Sequence, residues 1–297
     1  MSLVVSHLGP QGTNTETVAL VYAHHHWQTT GEIVHLLPCP SIGKTLEAVV
    51  EKQVDVAIVP VENSTEGTVG VTFDSLWAAD NLNIQRELVL PIAHVFLSRA
   101  PSLTAIAKVV SHPQALGQCQ KWLSAHLPQA VLVAANSTTE AIHLIENDPH
   151  AAAIASPRAA TLFDVPVLAT DIQDYPDNCT RFWAISPQGQ LSGSHTTLAF
   201  CVPKNRPGAL VNPLQVLAKR GINLSRIESR PTKRSLGDYL FFMDLEASQE
   251  QTHLQDALAE LAQYTAELKI FGSYSTQFLA LSDLAHDYDE QSPWRSP

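Results

Sequence analysis

The chain has 297 residues, 45% of them apolar, enough to fill the cores of two domains. With 18 Lys and Arg against 29 Asp and Glu, its net charge of −11 argues against broad binding to nucleic acid or anionic membrane, and neither is expected as a partner. Any anion it binds must therefore meet locally placed cations.

The start, Met1-Ser2-Leu3-Val4-Val5, lacks the charged head of a signal peptide, and no apolar run approaches a membrane span, so a cytoplasmic protein is expected. From residue 1 to about 186, short β-branched runs at 3–8, 33–37, 55–60, 109–111, 131–134 and 152–155 alternate with helical stretches, the pattern of α/β units. Helix starts are marked by Thr13-x-x-Glu16 and Ser137-x-x-Glu140 as capping boxes, by Ser111-x-x-Gln114 as a variant, and by Pro157 after Ser156. These signals directly follow strands. A strand, a tight turn and a helix N-terminus leave backbone N–H groups at the carboxyl edge of a sheet, where anions bind. Residues 187–195 are rich in breakers and free of periodicity, and read as a linker. Beyond them, strand 197–203, helix 208–219, strands 222–230 and 238–245, helix 249–263 and strand 267–274 make the β-α-β-β-α-β order of a ferredoxin-like unit. Residues 276–297 are acidic and proline-marked, and are expected to form a mobile tail.

Several segments carry groups suited to chemistry. In Gly9-Pro10-Gln11-Gly12-Thr13, Gly12 permits close backbone approach and the following helix dipole favours a carboxylate or phosphate, though a plain strand-to-helix turn explains the segment equally well. It lacks the Lys of a phosphate loop, Gly-x-Gly-x-x-Gly is absent, and no cofactor is expected. Pro60-Val61-Glu62-Asn63-Ser64-Thr65-Glu66-Gly67 gathers carboxylates, an amide and hydroxyls at a strand's end, which suits ligand binding or loop capping. In Ser111-His112-Pro113-Gln114, Gln114 either faces a ligand or completes the helix cap. His24, His25 and His26 point around a helix circumference and do not converge on a metal. Cys39, Cys119, Cys179 and Cys201 include no Cys-x-x-Cys pair, which fits a reducing compartment without zinc or disulfides. Asn178-Cys179-Thr180-Arg181-Phe182 places an amide, a hydroxyl, a fixed cation and an aromatic ring side by side. A guanidinium holds a carboxylate with two parallel hydrogen bonds, and a hydroxyl donates to a leaving oxygen.

In collinear order, Gly9–Thr13, Pro60–Gly67, Ser111–Gln114 and Asp174-x-x-x-Asn178-x-Thr180-Arg181-Phe182 resemble the motifs of prephenate dehydratase of the monofunctional bacterial type, with no mutase-like helical domain before the first motif. Pro207-Gly208-Ala209-Leu210-Val211 and Glu228-Ser229-Arg230-Pro231 resemble the two effector motifs of that enzyme's ACT domain. The resemblance implies an α/β chain with a two-lobed catalytic domain like a type II periplasmic binding protein over residues 1–188, its lobes at about 1–78 with 176–188 and at 79–175. A ferredoxin-like ACT regulatory domain would follow over 196–275. It implies decarboxylating dehydration of prephenate to phenylpyruvate, with L-phenylalanine as allosteric effector in a homodimer or homotetramer, and Glu228–Pro231 facing the glycine motif from the partner chain. Thr180 takes the catalytic threonine position, as hydrogen-bond donor to the departing hydroxyl. Thr13, Asn63, Ser64, Gln114, Asn178, Arg181 and Phe182 take substrate-binding positions, Arg181 pairing with a substrate carboxylate or holding the loop. Phe182 either packs on the ring or, by strand alternation, enters the core. Asn14 departs from the family, which commonly has an aromatic there, and Cys179 fills a variable place. Arogenate dehydratase, and a non-catalytic sensor of a small anion and an amino acid, are the rival readings.

Overall fold

The computed structural model describes residues 2–280 apart from Asn205 and Leu236. β1 (Leu3–Leu8) pairs in parallel with β2 (Val34–Cys39) and β3 (Val56–Asn63), and β3 turns back through β4 (Gly67–Thr68). Central parallel strands are covered on both faces, which is why these runs are apolar at nearly every position. They are joined by α1 (Asn14–Thr30), α2 (Ile42–Val50) and α3 (Gly70–Ala78). Thr13 caps α1, accepting from Glu16 N at 3.3 Å, and Gly31 ends it in a left-handed conformation that carries its N–H to Trp27 O.

β5 (Asn83–Pro91) lies in this same sheet, so the second lobe does not begin at residue 79. The chain crosses over only after Pro91. The second lobe is a five-stranded sheet made of β6 (Val95–Leu97), β7 (Lys108–Ser111), β8 (Val131–Ala134), β9 (Ala151–Ala155) and β10 (Val167–Ala169), in the order β10-β6-β9-β7-β8. It carries α4 (Pro113–Gly117), α5 (Gln120–His126), α6 (Thr138–Ile145) and α7 (Pro157–Leu162). β11 (Cys179–Ser186) then returns to the first lobe, antiparallel between β3 and β5, with Thr180 opposite Asn63 on one side and Leu90 on the other.

The C-terminal domain consists of β12 (His195–Cys201), α8 (Val211–Ala218), β13 (Leu224–Pro231), β14 (Tyr239–Leu245), α9 (Thr252–Leu261) and β15 (Glu267–Phe278). Its strands lie in the order β13-β14-β12-β15, the ferredoxin-like arrangement. β15 outruns its sequence pattern. Residues 275–278 pair in parallel with residues 86–89 of β5 and fuse the domain to the first lobe in one ten-stranded sheet. Residues 276–278, assigned to the tail, are therefore strand, because the open edge of β5 supplies their hydrogen bonds. The rest of that tail, from 281 onward, lies outside the described residues.

The presumed linker is also held. Ser273 N donates to Gln190 O at 2.9 Å and Ser194 N to Tyr274 O at 3.0 Å. Gly193 is required there, because at its φ of 145° a Cβ would collide with the Tyr274 backbone. One face of the first-lobe sheet packs Phe182, Leu88 and Leu90 against α1. The other packs Trp183 and Phe73 against Phe242, Phe271 and Tyr274 of the C-terminal domain, so the two domains share a core. Among the described residues, no helix is long and apolar enough to cross a membrane.

Candidate active site

A cleft of about 830 Å³ opens between the lobes at the carboxyl ends of β1, β3 and β7. It is lined by Thr13, Asn14 and Thr15 at the start of α1, by His112 and Gln114 at the start of α4, and by Asn136, Ser137 and Thr138 at the start of α6. The first N–H groups of a helix have no partner within it, and the dipole adds about half a positive charge. The wall therefore offers an anion N–H groups rather than a cationic side chain, although Glu140, also on the wall, takes Asn136 N. No Lys or Arg is found among the described residues that line it. The expectation that an anion here meets local cations is thereby corrected.

The helix starts are built differently from simple capping boxes. Glu16 reaches past Thr13 to Gly12 N at 2.7 Å, and Glu140 reaches Asn136 N at 2.6 Å. Ser111 is not a cap at all, since its hydroxyl is buried and donates to Ile154 O; His112 Nδ1 instead accepts from Gln114 N at 3.3 Å. The Gly9–Thr13 turn is stitched to the facing lobe. Thr139 Oγ1 donates to Gln11 O and Ser156 Oγ to Gly12 O, both at 3.0 Å, and Arg158 Nε bonds the buried Glu16 carboxylate at 3.1 Å. At Gly12, whose φ is 81°, a Cβ would stand 3.3 Å from Ala159 Cβ and from Thr139 Oγ1. The glycine therefore lets the lobes close on one another, rather than letting a ligand approach.

Thr180 lines the cleft at the heart of a buried polar network. Asn63 Oδ1 accepts from the backbone N–H groups of Thr65 (3.0 Å) and Glu66 (3.1 Å), which fixes the amide orientation and turns Nδ2 toward Thr180. Asn63 Nδ2 then donates to Thr180 Oγ1 at 2.9 Å. Because Thr180 accepts in that bond, its own O–H remains able to donate into the cleft. Asn63 Nδ2 also reaches Asn178 Oδ1 at 2.9 Å, and Asn178 Nδ2 donates to Gln118 Oε1 at 3.1 Å. Ser64 Oγ donates to Asn178 Oδ1 (3.1 Å) and accepts from Cys179 N (3.0 Å).

Of the residues singled out from sequence, Thr13, Asn63, Gln114, Thr180 and Phe182 are brought together on the cleft wall. Ser64, Asn178 and Arg181 are not. Ser64 and Asn178 stand behind Asn63 and hold it, whereas Arg181 points to the opposite face of the sheet because successive strand residues alternate. There its guanidinium meets Glu62 at 2.9 Å, Glu87 through Nε at 2.9 Å, and Asp244 of the C-terminal domain at 2.9 Å. Glu87 also accepts from Trp183 Nε1 and from Thr276 Oγ1, both at 3.1 Å, and Asp244 from Thr197 Oγ1 at 2.8 Å. Burial alone would lower the pKa of Arg181, but Asp244 and Glu87 outweigh it and raise it, so the cation is permanent.

Sequence reasoning passed over Gln118 and His94, which also line the cleft. Gln118 follows Gln114 by four positions, the spacing of neighbours on one helical face, and that was its available signal. Cys119, by contrast, is no nucleophile: burial, with Asp174 adding to it, pushes its thiol up to about 12.

The two effector-motif segments do not meet within one chain. Gly208, Ala209 and Val211 line a second pocket of about 700 Å³ with Arg206, Asn212 and Tyr264, while Leu210 packs on the domain core. Glu228 accepts from Thr68 Oγ1 at 3.0 Å, and Arg230 forks onto Asp74 at 3.0 and 2.9 Å, so both are held by their own first lobe; Ser229 and Pro231 are exposed on the other face of β13.

A family model described as prephenate dehydratase matches residues 5–190, and one described as ACT domain matches residues 196–263. The bifunctional chorismate mutase/prephenate dehydratase of Aquifex aeolicus is 39% identical over 276 residues, covering 93% of this chain and 74% of that protein. The prephenate dehydratase of Bacillus subtilis is 34% identical over 287 residues, 92% of this chain and 98% of its own length. The crystal structure of a prephenate dehydratase from Arthrobacter aurescens in complex with L-Phe matches with a TM-score of 0.83 at 36% identity, covering 92% of this chain and 90% of that one.

Proposed function

The chain belongs to the prephenate dehydratase family, and on that premise we propose that the cleft binds prephenate and that Thr180 donates to the hydroxyl it loses. Prephenate is a dianion carrying a ring carboxylate, a pyruvyl side chain and a hydroxyl at the opposite ring carbon. In the reaction the C–O bond breaks and its electron pair stays on oxygen. The bond between ring and carboxylate breaks and its pair completes the aromatic ring, carbon dioxide leaves, and one proton is consumed as hydroxide departs as water. Aromatisation supplies the driving force, so the protein needs to hold the ring in line, stabilise the departing oxygen and exclude water.

The single observation that carries the reading is the orientation of Asn63, which occupies a Thr180 lone pair and leaves the threonine hydrogen for the substrate. A threonine hydroxyl is a weak acid, so its role is a preplaced hydrogen bond in a desolvated site rather than free proton release. Carboxylates are received by the N-termini of α1 and α6 with Gln114, while Thr13, whose hydroxyl donates to Leu8 O, holds the turn and the buried Phe182 backs the cleft from the core. Neutral donors grip the ring carboxylate less firmly than an Arg would, which eases its departure as neutral carbon dioxide.

The Pro207–Val211 pocket is the place proposed for L-phenylalanine, the ligand with which the Arthrobacter aurescens relative was solved. β13 is an edge strand of the large sheet, and it is offered as the surface where a second copy joins in a homodimer or homotetramer, bringing Ser229 and Pro231 toward the pocket. Arg181, bonded both to catalytic-lobe carboxylates and to Asp244, ties the strand that bears Thr180 to the regulatory domain. Four free cysteines suit a cytoplasmic setting.

The test is an assay of purified protein with prephenate and with arogenate side by side, at increasing L-phenylalanine. Phenylpyruvate formation that L-phenylalanine suppresses is expected. Turnover of arogenate alone would reassign the substrate, inactivity toward both would leave the sensor reading, and indifference of both activity and sedimentation to L-phenylalanine would remove the regulatory one.

A further inference from the structure

His94 lines the cleft, is only 5% exposed, and carries a buried ring nitrogen, Nδ1, that no group among the described residues meets. Its position is fixed from several sides. Its backbone N–H donates to Gln173 Oε1 at 3.0 Å and its carbonyl accepts from Ile172 N at 3.2 Å. It lies just beyond Ile92, whose N–H bonds Asn178 O at 2.8 Å, so it follows directly on the pairing of β5 with the Thr180 strand.

The ring's tautomer follows from its neighbours. His94 Nε2 is 2.9 Å from Gln118 Oε1. That amide cannot be turned over, because Gln118 Nε2 donates to Thr65 Oγ1 at 3.0 Å and to the Glu66 carboxylate at 3.2 Å, and Oε1 accepts from Asn178 Nδ2. A carbonyl oxygen only accepts, so Nε2 carries the hydrogen and Nδ1 of the neutral ring presents a bare lone pair. Burial lowers the pKa of His94 against the opposing bond from Gln118, which keeps the ring neutral near pH 7. The titratable groups around it are Glu66, bonded to Gln118 Nε2, His112 and Glu140, which line the same cleft, and Asp174, whose N–H bonds Gln118 O.

A buried acceptor without a donor is costly unless a ligand supplies one. We infer that His94 Nδ1 accepts the hydrogen of the substrate's ring hydroxyl, turning that oxygen's lone pair toward the Thr180 hydroxyl. This rests on the reading of the cleft as a prephenate site. The hydroxyl has one hydrogen and two lone pairs, and with His94 taking the hydrogen and Thr180 meeting a lone pair, the leaving oxygen is held at both ends. As the C–O bond breaks, that hydrogen stays on the oxygen and His94 neither gains nor loses a proton. The proton that completes water arrives on the Thr180 side, ultimately from solvent.

Two substitutions separate the roles of the two ring nitrogens. His94→Gln reaches Gln118 from the Nε2 position and leaves the Nδ1 position empty, whereas His94→Asn places an amide near Nδ1. His94→Gln is expected to lower kcat/KM for prephenate roughly 10- to 100-fold, and His94→Asn to lower it less. Phenylpyruvate lacks the hydroxyl, so its inhibition constant should stay within roughly threefold in His94→Gln. The profile of kcat/KM against pH reports the free enzyme, and its acid limb, where His94 gains a proton on Nδ1 and ceases to accept, should vanish in that variant. A fall in kcat/KM matched by the same change for phenylpyruvate, an unchanged acid limb, or full activity in His94→Gln would each overturn the inference. Should His94→Gln not fold, the 15N shift of His94 Nδ1 in Thr180→Val decides: it should move when prephenate is added, and a static signal refutes the contact. A wild-type chain that makes no phenylpyruvate removes the functional reading and this inference with it, whereas an active wild type with an indifferent His94→Gln removes this inference alone.

Discussion

One strand, β11, carries two networks that differ in charge. On the cleft face, Thr180 belongs to a set of neutral amides and hydroxyls reaching from Asn63 through Asn178 and Gln118 to His94. On the opposite face, one residue along, Arg181 is enclosed by Glu62, Glu87 and Asp244. The difference teaches that the cation next to Thr180 in sequence is kept from the cleft and assigned to the joint between domains. Glu62 and Asn63 on β3 divide the same way, the carboxylate toward Arg181 and the amide toward Thr180. Neutral groups fixed by one another can point hydrogens and lone pairs accurately at a substrate, whereas buried ions serve best where they never have to be unpaired.

The largest effect is expected from breaking the charged side. Arg181→Met leaves Glu87 and Asp244 buried without a countercharge and should cost about 3–5 kcal/mol of stability. Denaturant unfolding measures this, and a loss below about 1 kcal/mol would mean that the two carboxylates find other partners. On the neutral side, Thr180→Val keeps the shape and removes the donor. Its kcat should fall roughly 10²- to 10³-fold while the fold survives, with Thr180→Ser recovering most of the rate; unaltered turnover in Thr180→Val would dismiss Thr180 as the donor.

A smaller effect sharpens the comparison at the rim of the domain joint. Arg230 and Lys233 both bond Asp74 in a half-exposed setting, so Asp74→Asn should cost only about 0.5–1 kcal/mol, measurable in the same unfolding experiment. Smallest is its pH signature. Burial raises the pKa of Asp74, but the bonds from Arg230 and Lys233 outweigh burial and leave it lowered. The folded pKa then lies below the unfolded one, so the contribution is present above about pH 4 and is lost as pH falls through the folded value. Stability of the wild type should decline more steeply than that of Asp74→Asn in that acid window, and parallel curves would rule out Asp74 as the source.

Much of the fold was legible because its signals are local. The capping residues Thr13, Ser137 and Ser156 and the β-branched runs around them mark where strands give way to helices. β5 was missed because a strand with Arg86 and Glu87 in its middle does not alternate like a surface strand, and it holds that charge only because Arg181 and Thr276 come to it from elsewhere. Phe278 was given to a tail because nothing within its own segment reveals the open edge of β5. At the site, Thr13, Asn63, Gln114, Thr180 and Phe182 were legible by pattern. His94 was not, since a lone histidine after Pro91 carries no spacing signal and the tautomer of its ring is set by the Gln118 amide that faces it.

By itself the sequence determined that Thr180 and Phe182 share a face and that Arg181 takes the other, because side chains alternate along any strand. It also determined which turns start helices, and so where anion-attracting N–H groups are found. Only the tertiary structure decided which face of β11 borders the cleft. That choice depends on which surfaces cover the sheet, α1 on one side and the aromatic core shared with the C-terminal domain on the other. It placed Asp244, sixty-three residues away in sequence, beside the Arg181 guanidinium. Contacts at that separation are set by packing of whole elements, and no local pattern records them.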